Sequence, residues 1–278
     1  MSSDDATQNA TTRFLPTEEG RIAYDMTGAG PLVVLVPGMG DLRSSYRFLA
    51  PELVAAGYTV VTTDLRGHGE SDATFGSYGD VETARDITAL VESFHRPAFI
   101  IGNSMAAGSA VLVAAARPDL VAGLVLIGPF VRQPASSSAL SRGFLRVLMA
   151  TPWAATMWRT YLPKLYAGAK PVDFDSYRNL VVAGLRRPGY AKSFSLTTRT
   201  SHSDAEARLT LVTAPTLVVM GAQDPDFKNP RAEADWIGAA LHAPVVMIDD
   251  AGHYPQSQQP RPTARAIIQF LSKVKNNG

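Results

Sequence analysis

Residues 98–118, "AFIIGNSMAAGSAVLVAAARP", hold the reading that decides the fold. The first five are apolar, with bulky Phe99, Ile100 and Ile101 at their centre, as in a strand buried on both faces, and the second half is a run of small and aliphatic residues with the composition of a helix. Ser104 stands at the junction. A residue at so abrupt a strand-to-helix turn has a cramped backbone, and its neighbours two positions away must be small for strand and helix to approach each other; Gly102 and Ala106 satisfy that. The same placement points the hydroxyl to the C-terminal edge of a sheet, beside the free N–H groups that open a helix. Two readings of Ser104 stay open on this stretch alone, a helix cap and a nucleophile.

Working outward, "PLVVLVPG" (31–38), "YTVVTTD" (58–64) and "LVAGLVLIG" (120–128) are further runs with the character of buried strands. Helical spacing over 43–56, 80–95 and 104–117 alternates with them. The alternation resumes with a strand in "APTLVVMG" (214–221), a helix at 230–241, a strand in "APVVMIDD" (243–250) and a closing helix over 257–274. Residues 13–30 read as a hairpin turning at Glu19 and Gly20, so the sheet begins antiparallel. The expectation is an α/β fold: a doubly wound, mostly parallel eight-stranded sheet flanked by helices.

Residues 131–209 break this rhythm. They lack strand-like runs and carry Phe144, Trp153, Trp158, Tyr161, Tyr166, Phe174, Tyr177, Tyr190 and Phe194. A structureless loop of that length does not suit a compact domain, so the segment is expected to be an inserted helical subdomain, with helical periodicity in "LSRGFLRVLMATPWAATMWRTYL". Most of its aromatic residues are expected to pack the insertion onto the sheet and a minority to face a pocket. The organisation expected is a polar, disordered tail over 1–12, a core of 13–130 and 210–278, and the insertion at 131–209.

Composition narrows the function. Of 278 residues 46% are apolar, and 26 basic against 25 acidic residues give a net charge of +1. Such a balance does not suit a polyanion or an anionic membrane surface, so the expected partner is a small-molecule substrate, with no nucleic acid and no membrane; oligomeric state is left open. The absence of cysteine excludes disulfides, thiolate metal sites and a cysteine nucleophile. The first dozen residues have no apolar segment of a secretory signal, and no run reaches the length of a membrane span, from which a cytoplasmic protein is expected.

A serine nucleophile needs a base, and the base needs an acid that orients it. Of the five histidines, His253 lies in "DDAGHYPQ", a loop that follows a strand and so opens at the same sheet edge as Ser104. His68, in "DLRGHGESD", is the rival, although its two flanking glycines suit a tight turn. Asp224, in "TLVVMGAQDPDF", leaves another strand at that edge, with Asp226 and Asp250 as rivals. The order Ser104, Asp224, His253 is the one a doubly wound sheet uses for a hydrolytic triad. Donors for a developing oxyanion would come from the backbone of Met105 and of Met39, whose neighbours Gly38 and Gly40 let the "VPGMGD" loop approach a substrate.

Together these stretches resemble the α/β-hydrolase superfamily over nearly the whole chain, from about residue 13 to 274. "GNSMA" is similar to its nucleophile elbow, "PGMG" to its oxyanion loop, "GAQD" to its acid loop and "GHYPQ" to its histidine loop. The resemblance implies Ser104, Asp224 and His253 as triad, Met39 and Met105 as oxyanion donors, and the insertion as a cap that sets substrate choice. Candidate substrate-binding residues are Gly38, Asn103, Trp153, Trp158 and Tyr254. The sequence departs from the pattern at Pro37, where many relatives have histidine, so the loop needs other support; Ala106 and Ala107 stand where glycines are usual. Serine at 104 argues against the aspartate-based chemistry of dehalogenases and epoxide hydrolases.

The function expected is hydrolysis of an ester, thioester or lactone of moderately apolar shape, with no cofactor and no metal. Asn103 raises an alternative, carbon–carbon bond hydrolysis of a ring-cleavage-type diketone acid, for which Arg186, Arg187 or Arg199 would anchor the substrate carboxylate. A third is a non-hydrolytic binding or rearrangement protein that uses the same pocket.

Overall fold

The computed structural model describes residues 11–133 and 147–277. The hairpin is β1 (Arg13–Pro16) and β2 (Arg21–Thr27), closed by Thr17 N–H donating to Gly20 O at 2.8 Å. There follow β3 (Leu32–Val36), α1 (Leu49–Ala55), β4 (Thr59–Thr63), α2 (Asp80–Glu92), β5 (Ala98–Asn103), α3 (Met105–Ala116) and β6 (Val121–Ile127). The insertion contributes α4 (Ala154–Leu165), α5 (Phe174–Leu185), α6 (Tyr190–Thr197) and α7 (Ser203–Glu206). The chain closes with β7 (Thr216–Gly221), α8 (Pro230–Leu241), β8 (Val245–Ile248), α9 (Pro255–Gln258) and α10 (Pro260–Asn277).

The eight strands form one sheet in the order β1-β2-β4-β3-β5-β6-β7-β8. β2 pairs antiparallel with β1 and β4, and every later pairing is parallel. The chain steps from β3 out to β4 and then returns across β3 to β5. The winding therefore reverses between β3 and β5, and a crevice opens beyond the carboxyl ends of strands at such a reversal. The "PGMG" and "GNSM" stretches leave those two strand ends.

Alternation along β3 explains why its run is apolar throughout. Leu32, Val34 and Val36 join the core under α2, α3 and α8, whereas Val33 and Leu35 join Leu49, Leu53, Ile267 and Leu271 on the opposite face. α3 lies deepest: every residue from Met105 to Ala114 is buried, which is why small side chains fill its sequence. α10 instead presents one stripe, Ala264, Ile267 and Leu271, to the sheet.

Two expected helices are broken in the structure, both by proline. The 43–56 segment is a 3-10 turn, Arg43–Tyr46, followed by α1. Pro51 has no N–H and its ring would meet the carbonyl of residue 47, so α1 starts late enough to hold Pro51 in its first turn. The closing helix divides at Gln259, whose φ of −128° and ψ of 63° leave the helical region immediately before Pro260. The 80–95 helix stops at Glu92, and His95 turns into the left-handed region.

Among the described residues no helix is long and apolar enough to cross a membrane. Residues 1–10 of the expected tail, and 140–146 of the insertion's periodic segment with Phe144, lie outside the described residues. The insertion has its own apolar cluster, in which Trp158, Leu162, Tyr166, Phe174, Tyr177 and Phe194 pack together with Tyr254 of the core.

Candidate active site

Ser104 takes φ 59° and ψ −125° between β5 and α3. Side chains rarely adopt this region, and holding a non-glycine residue there costs about 1–3 kcal/mol. The surroundings enforce it: Ser104 N–H donates to Ile127 O at 2.9 Å, and Ser104 O accepts from Ala107 N–H at 3.0 Å and Phe130 N–H at 3.2 Å. A Cβ at Gly102 would strike the Ala106 carbonyl, which accounts for the small residue expected there. Ser104 occupies the N-cap position, yet its hydroxyl makes no cap hydrogen bond. The helix-cap reading therefore loses its physical basis.

His253 enters from the loop after β8. Its Nδ1 lies 2.7 Å from Asp224 Oδ2, and both side chains are buried. Gly128, at φ 49°, admits the pair, because a Cβ there would sit 3.1 Å from His253 Nδ1 and 3.2 Å from Asp224 Oδ2. Burial by itself pushes the imidazole pKa down, but the charge and hydrogen bond of Asp224, then the charges of Asp226 and Asp41, hold it up at about 9. Nδ1–H donating to a carboxylate leaves Nε2 as the working nitrogen. No hydrogen bond joins Ser104 Oγ to that ring among the described residues; such bonds commonly tighten only when substrate is bound.

The rivals take other places. Asp250 is exposed, and its Oδ1 accepts from Ala169 N–H at 3.1 Å, so it supports a loop of the insertion. Asp226 lies closer to the histidine, with Oδ2 3.7 Å from Nδ1, and Tyr161 of α4 donates to its Oδ1 at 2.8 Å. His68 is the missing loop support. Its Nε2 accepts from Gly40 N–H at 3.0 Å and its Nδ1 lies 3.0 Å from Arg66 O. Burial pushes its pKa down to about 4, against the opposing effect of the Arg66 carbonyl, so the ring is neutral and Nε2 is free to accept. The glycine-flanked turn thus holds the 38–41 loop where Pro37 replaces the usual histidine.

Met39 is half-buried and Met105 fully buried. Neither backbone N–H is bonded to an acceptor among the described residues, so two donors stand free on either side of the elbow. Gly38 lies against Ser104: a Cβ on it would fall 2.8 Å from Ser104 Cβ. Asn103 is a staple, its Nδ2 donating to Ile127 O at 3.0 Å and to His253 O at 3.2 Å. Trp158 donates to Gly40 O at 2.7 Å and packs on Phe194. Tyr254 is buried with its ring 5.2 Å from that of His253. Trp153 departs from this group: it is 46% exposed at the head of α4 and donates to Val147 O, with no hydrogen bond to a site residue among the described residues. Arg186, Arg187 and Arg199 also face outward, Arg187 donating to Gly69 O.

Asp224, Asp226 and His253 form the one group of three among the described residues whose ligand atoms, within 4.8 Å of one another, could hold a cation. Nδ1 is already committed to Asp224, and a metal there would displace the proton that orients the ring. The arrangement is that of a hydrogen-bonded acid–base pair.

Sequence reasoning passed over Asp41 and the roles of Asp226 and Tyr161. Asp41 is fully buried next to the loop glycines, where Tyr177 of α5 and Leu42 N–H both donate to Oδ1. Burial raises its pKa to about 6 in spite of those bonds. The only sequence signal of the two aspartates is an acidic residue close behind a motif, and Tyr161 has none beyond its place in the aromatic segment.

A wound parallel sheet that carries a strained serine, an aspartate and a histidine on the loops after β5, β7 and β8 defines a class, and comparison agrees. The chain belongs to the alpha/beta hydrolase family, whose sequence model matches residues 33–266. It is 28% identical to 2-(acetamidomethylene)succinate hydrolase of Mesorhizobium japonicum, over 98% of this chain and 99% of that one. It is likewise 28% identical to a 2-hydroxy-6-oxononadienedioate/2-hydroxy-6-oxononatrienedioate hydrolase of Cupriavidus pinatubonensis, over 95% of this chain and 96% of the relative. A thermophilic esterase of Thermogutta terrifontis shares the fold, with a TM-score of 0.80 at 24% identity over 95% of this chain and 99% of that one.

Proposed function

We propose that this chain is a serine hydrolase that cleaves an ester, thioester or lactone of a moderately apolar substrate through Ser104, His253 and Asp224. The observation that carries the reading is the buried 2.7 Å bond between His253 and Asp224, opposite a serine whose hydroxyl is released from helix capping. His253 Nε2 takes the Ser104 proton as Oγ bonds to the carbonyl carbon, and Asp224 holds the ring. Met39 and Met105 N–H groups receive the oxyanion. The tetrahedral adduct collapses with loss of the leaving group, which takes the proton from His253. Water then attacks the acyl enzyme by the same route and returns Ser104.

Carbon–carbon bond hydrolysis is the second reading, favoured by the names of the relatives. It needs a cation for the substrate carboxylate, and the three arginines considered for this are exposed. Asn103, which raised the idea, spends its Nδ2 on stapling two loops and has only its Oδ1, an acceptor with no affinity for a carboxylate, left unpaired. Ester-type hydrolysis is therefore the better supported.

A fluorophosphonate probe tests the mechanism. The expected result is a covalent adduct on Ser104 with loss of fluoride, absent in Ser104→Ala, together with a fall of about 10³-fold or more in short-chain ester hydrolysis. Labelling elsewhere, or ester turnover that survives Ser104→Ala, would overturn it; no labelling and no turnover would favour a non-hydrolytic pocket.

A further inference from the structure

Two glutamines on the four-residue helix α9 are both buried, and they differ completely in what they touch. Gln258 accepts from Gly252 N–H at 2.9 Å and donates to Ala167 O and Ala169 O, each at 2.7 Å. Gln256, fully buried two residues earlier, has no partner for either its amide oxygen or its amide nitrogen. Buried polar atoms in folded proteins are very largely paired, by protein groups, water or ligand. A buried amide with no protein partner is one for which the chain leaves the partner to be supplied.

Gln256 has company. Asp41 Oδ2 and Ser45 Oγ are also buried without a partner, and Tyr166 Oη and Ser257 Oγ, likewise buried, have only each other within reach. They belong to one neighbourhood. Asp41 opens the turn in which Ser45 N–H donates to Leu42 O, and that turn packs against α9. Tyr166 stacks on Tyr254 at 4.7 Å, neighbours the Ser257 side chain and feels the Asp41 charge. Tyr177 covers Asp41 from α5 through its hydroxyl. Asp41 lies two residues beyond Met39, and Tyr254, on which Tyr166 stacks, has its ring 5.2 Å from that of His253, so the cluster adjoins the reacting centre.

We propose that Asp41, Ser45, Tyr166, Gln256 and Ser257, roofed by Tyr177, form a subsite for an uncharged hydroxyl-bearing or amide arm of the substrate. The proposal rests on the hydrolase reading for the reaction, and adds to it the kind of molecule that is cleaved. Hydroxyl and amide groups both donate and accept, as the cluster does: serine and tyrosine hydroxyls with the Gln256 NH₂ donate, and Asp41 Oδ2 with Gln256 Oε1 accepts. A carboxylate arm meets the charge of Asp41, although Arg178, next to Tyr177, keeps its Nε without a partner. Arg47 is held by Asp173 at 2.7 Å, and Arg178 Nη2 by Asp175 at 2.8 Å.

Three esters read the subsite: propyl butyrate, 2,3-dihydroxypropyl butyrate and propyl 3-hydroxybutyrate, which place hydroxyls on neither arm, the alcohol arm or the acyl arm. At least one hydroxylated ester is expected to exceed propyl butyrate in kcat/KM by about tenfold or more, since a site built to bind a hydroxyl discriminates against its absence. Gln256→Leu is expected to bring that ratio toward one, while its melting temperature holds or rises because an apolar group replaces an unpaired amide. Ser45→Ala provides the same ratio if Gln256→Leu does not fold. Equal rates on all three esters, or a loss in the variants that leaves the ratio intact, would overturn the proposal. Absence of turnover together with absence of phosphonate labelling strikes the triad instead. Calorimetry on Ser104→Ala then decides the subsite: binding of a hydroxylated ester about tenfold tighter than propyl butyrate supports it, and equal binding overturns it.

Discussion

The strand-end loops and the helical insertion face each other across the site, and they are held by different forces. The loops are fixed by backbone hydrogen bonds and by close approaches that only glycine permits, such as Gly102 beneath Ala106 and Gly128 beside His253. The insertion meets them through side chains at most points, Trp158 to Gly40 O, Tyr177 to Asp41, Tyr161 to Asp226, Arg47 to Asp173 and Tyr190 to Ser71 O, and through backbone at one seam, where Leu165 O accepts from His253 N–H at 2.8 Å and Ala169 N–H donates to Asp250 O at 3.1 Å. Backbone geometry is dictated by the fold and leaves little latitude. Side-chain contacts of this kind can be exchanged one at a time at about 1 kcal/mol each. On the proposed function, the reacting groups belong to the loops, and the exchangeable side-chain contacts belong to the insertion.

The largest break in that contrast should come from within the loops. Asp224→Asn keeps the shape of the site but removes the charge that holds the His253 tautomer, and kcat should fall by about 10³–10⁴-fold with little change in KM. Steady-state kinetics with a short-chain ester reads this, and a fall under tenfold would place the orienting acid at Asp226.

A smaller effect is expected at the bridge between the halves. Only neutral His253 can accept the serine proton, and its pKa stands near 9, so kcat/KM should climb with pH from neutrality to that region. Asp226 helps to hold the proton on. Asp226→Asn should move the rising limb to lower pH, and a pH profile that is unchanged would remove Asp226 from the mechanism. Stability carries the opposite sign: protonated His253 contributes fully below its ordinary 6.5, and the contribution is lost as pH rises through about 9.

The smallest effect lies on the insertion side. Trp158→Phe removes one hydrogen bond to Gly40 O and part of a packed ring, and should cost about 1–2 kcal/mol in denaturant unfolding. Because Gly40 is also held by His68, kcat/KM on a small ester should fall by less than tenfold; a larger drop would mean that the insertion sets the loop.

The same division governs what the sequence discloses. The strands are legible because burial on both faces leaves unbroken apolar runs, and the Ser104, Asp224 and His253 loops follow such runs directly. Pro51 and Pro260 show where runs with helical composition were overread, since a missing N–H acts on geometry and not on hydrophobic spacing. The pairing of His68 with Gly40, 28 residues apart, and of Tyr161 with Asp226, 65 apart, depends on how loops and helices meet in space. Nothing in local composition marks either. Trp153 and Trp158, five positions apart in one aromatic segment, end on opposite sides of that problem: one faces solvent and the other is tied to the site loop.

The backbone at Ser104 has one more consequence. A left-handed conformation that glycine would occupy without strain is occupied by a residue that must be forced into it. Selection for a durable fold alone would empty that position of its side chain. On the proposed function that strain is carried for the hydroxyl, so Ser104→Gly trades the reaction for a more relaxed chain.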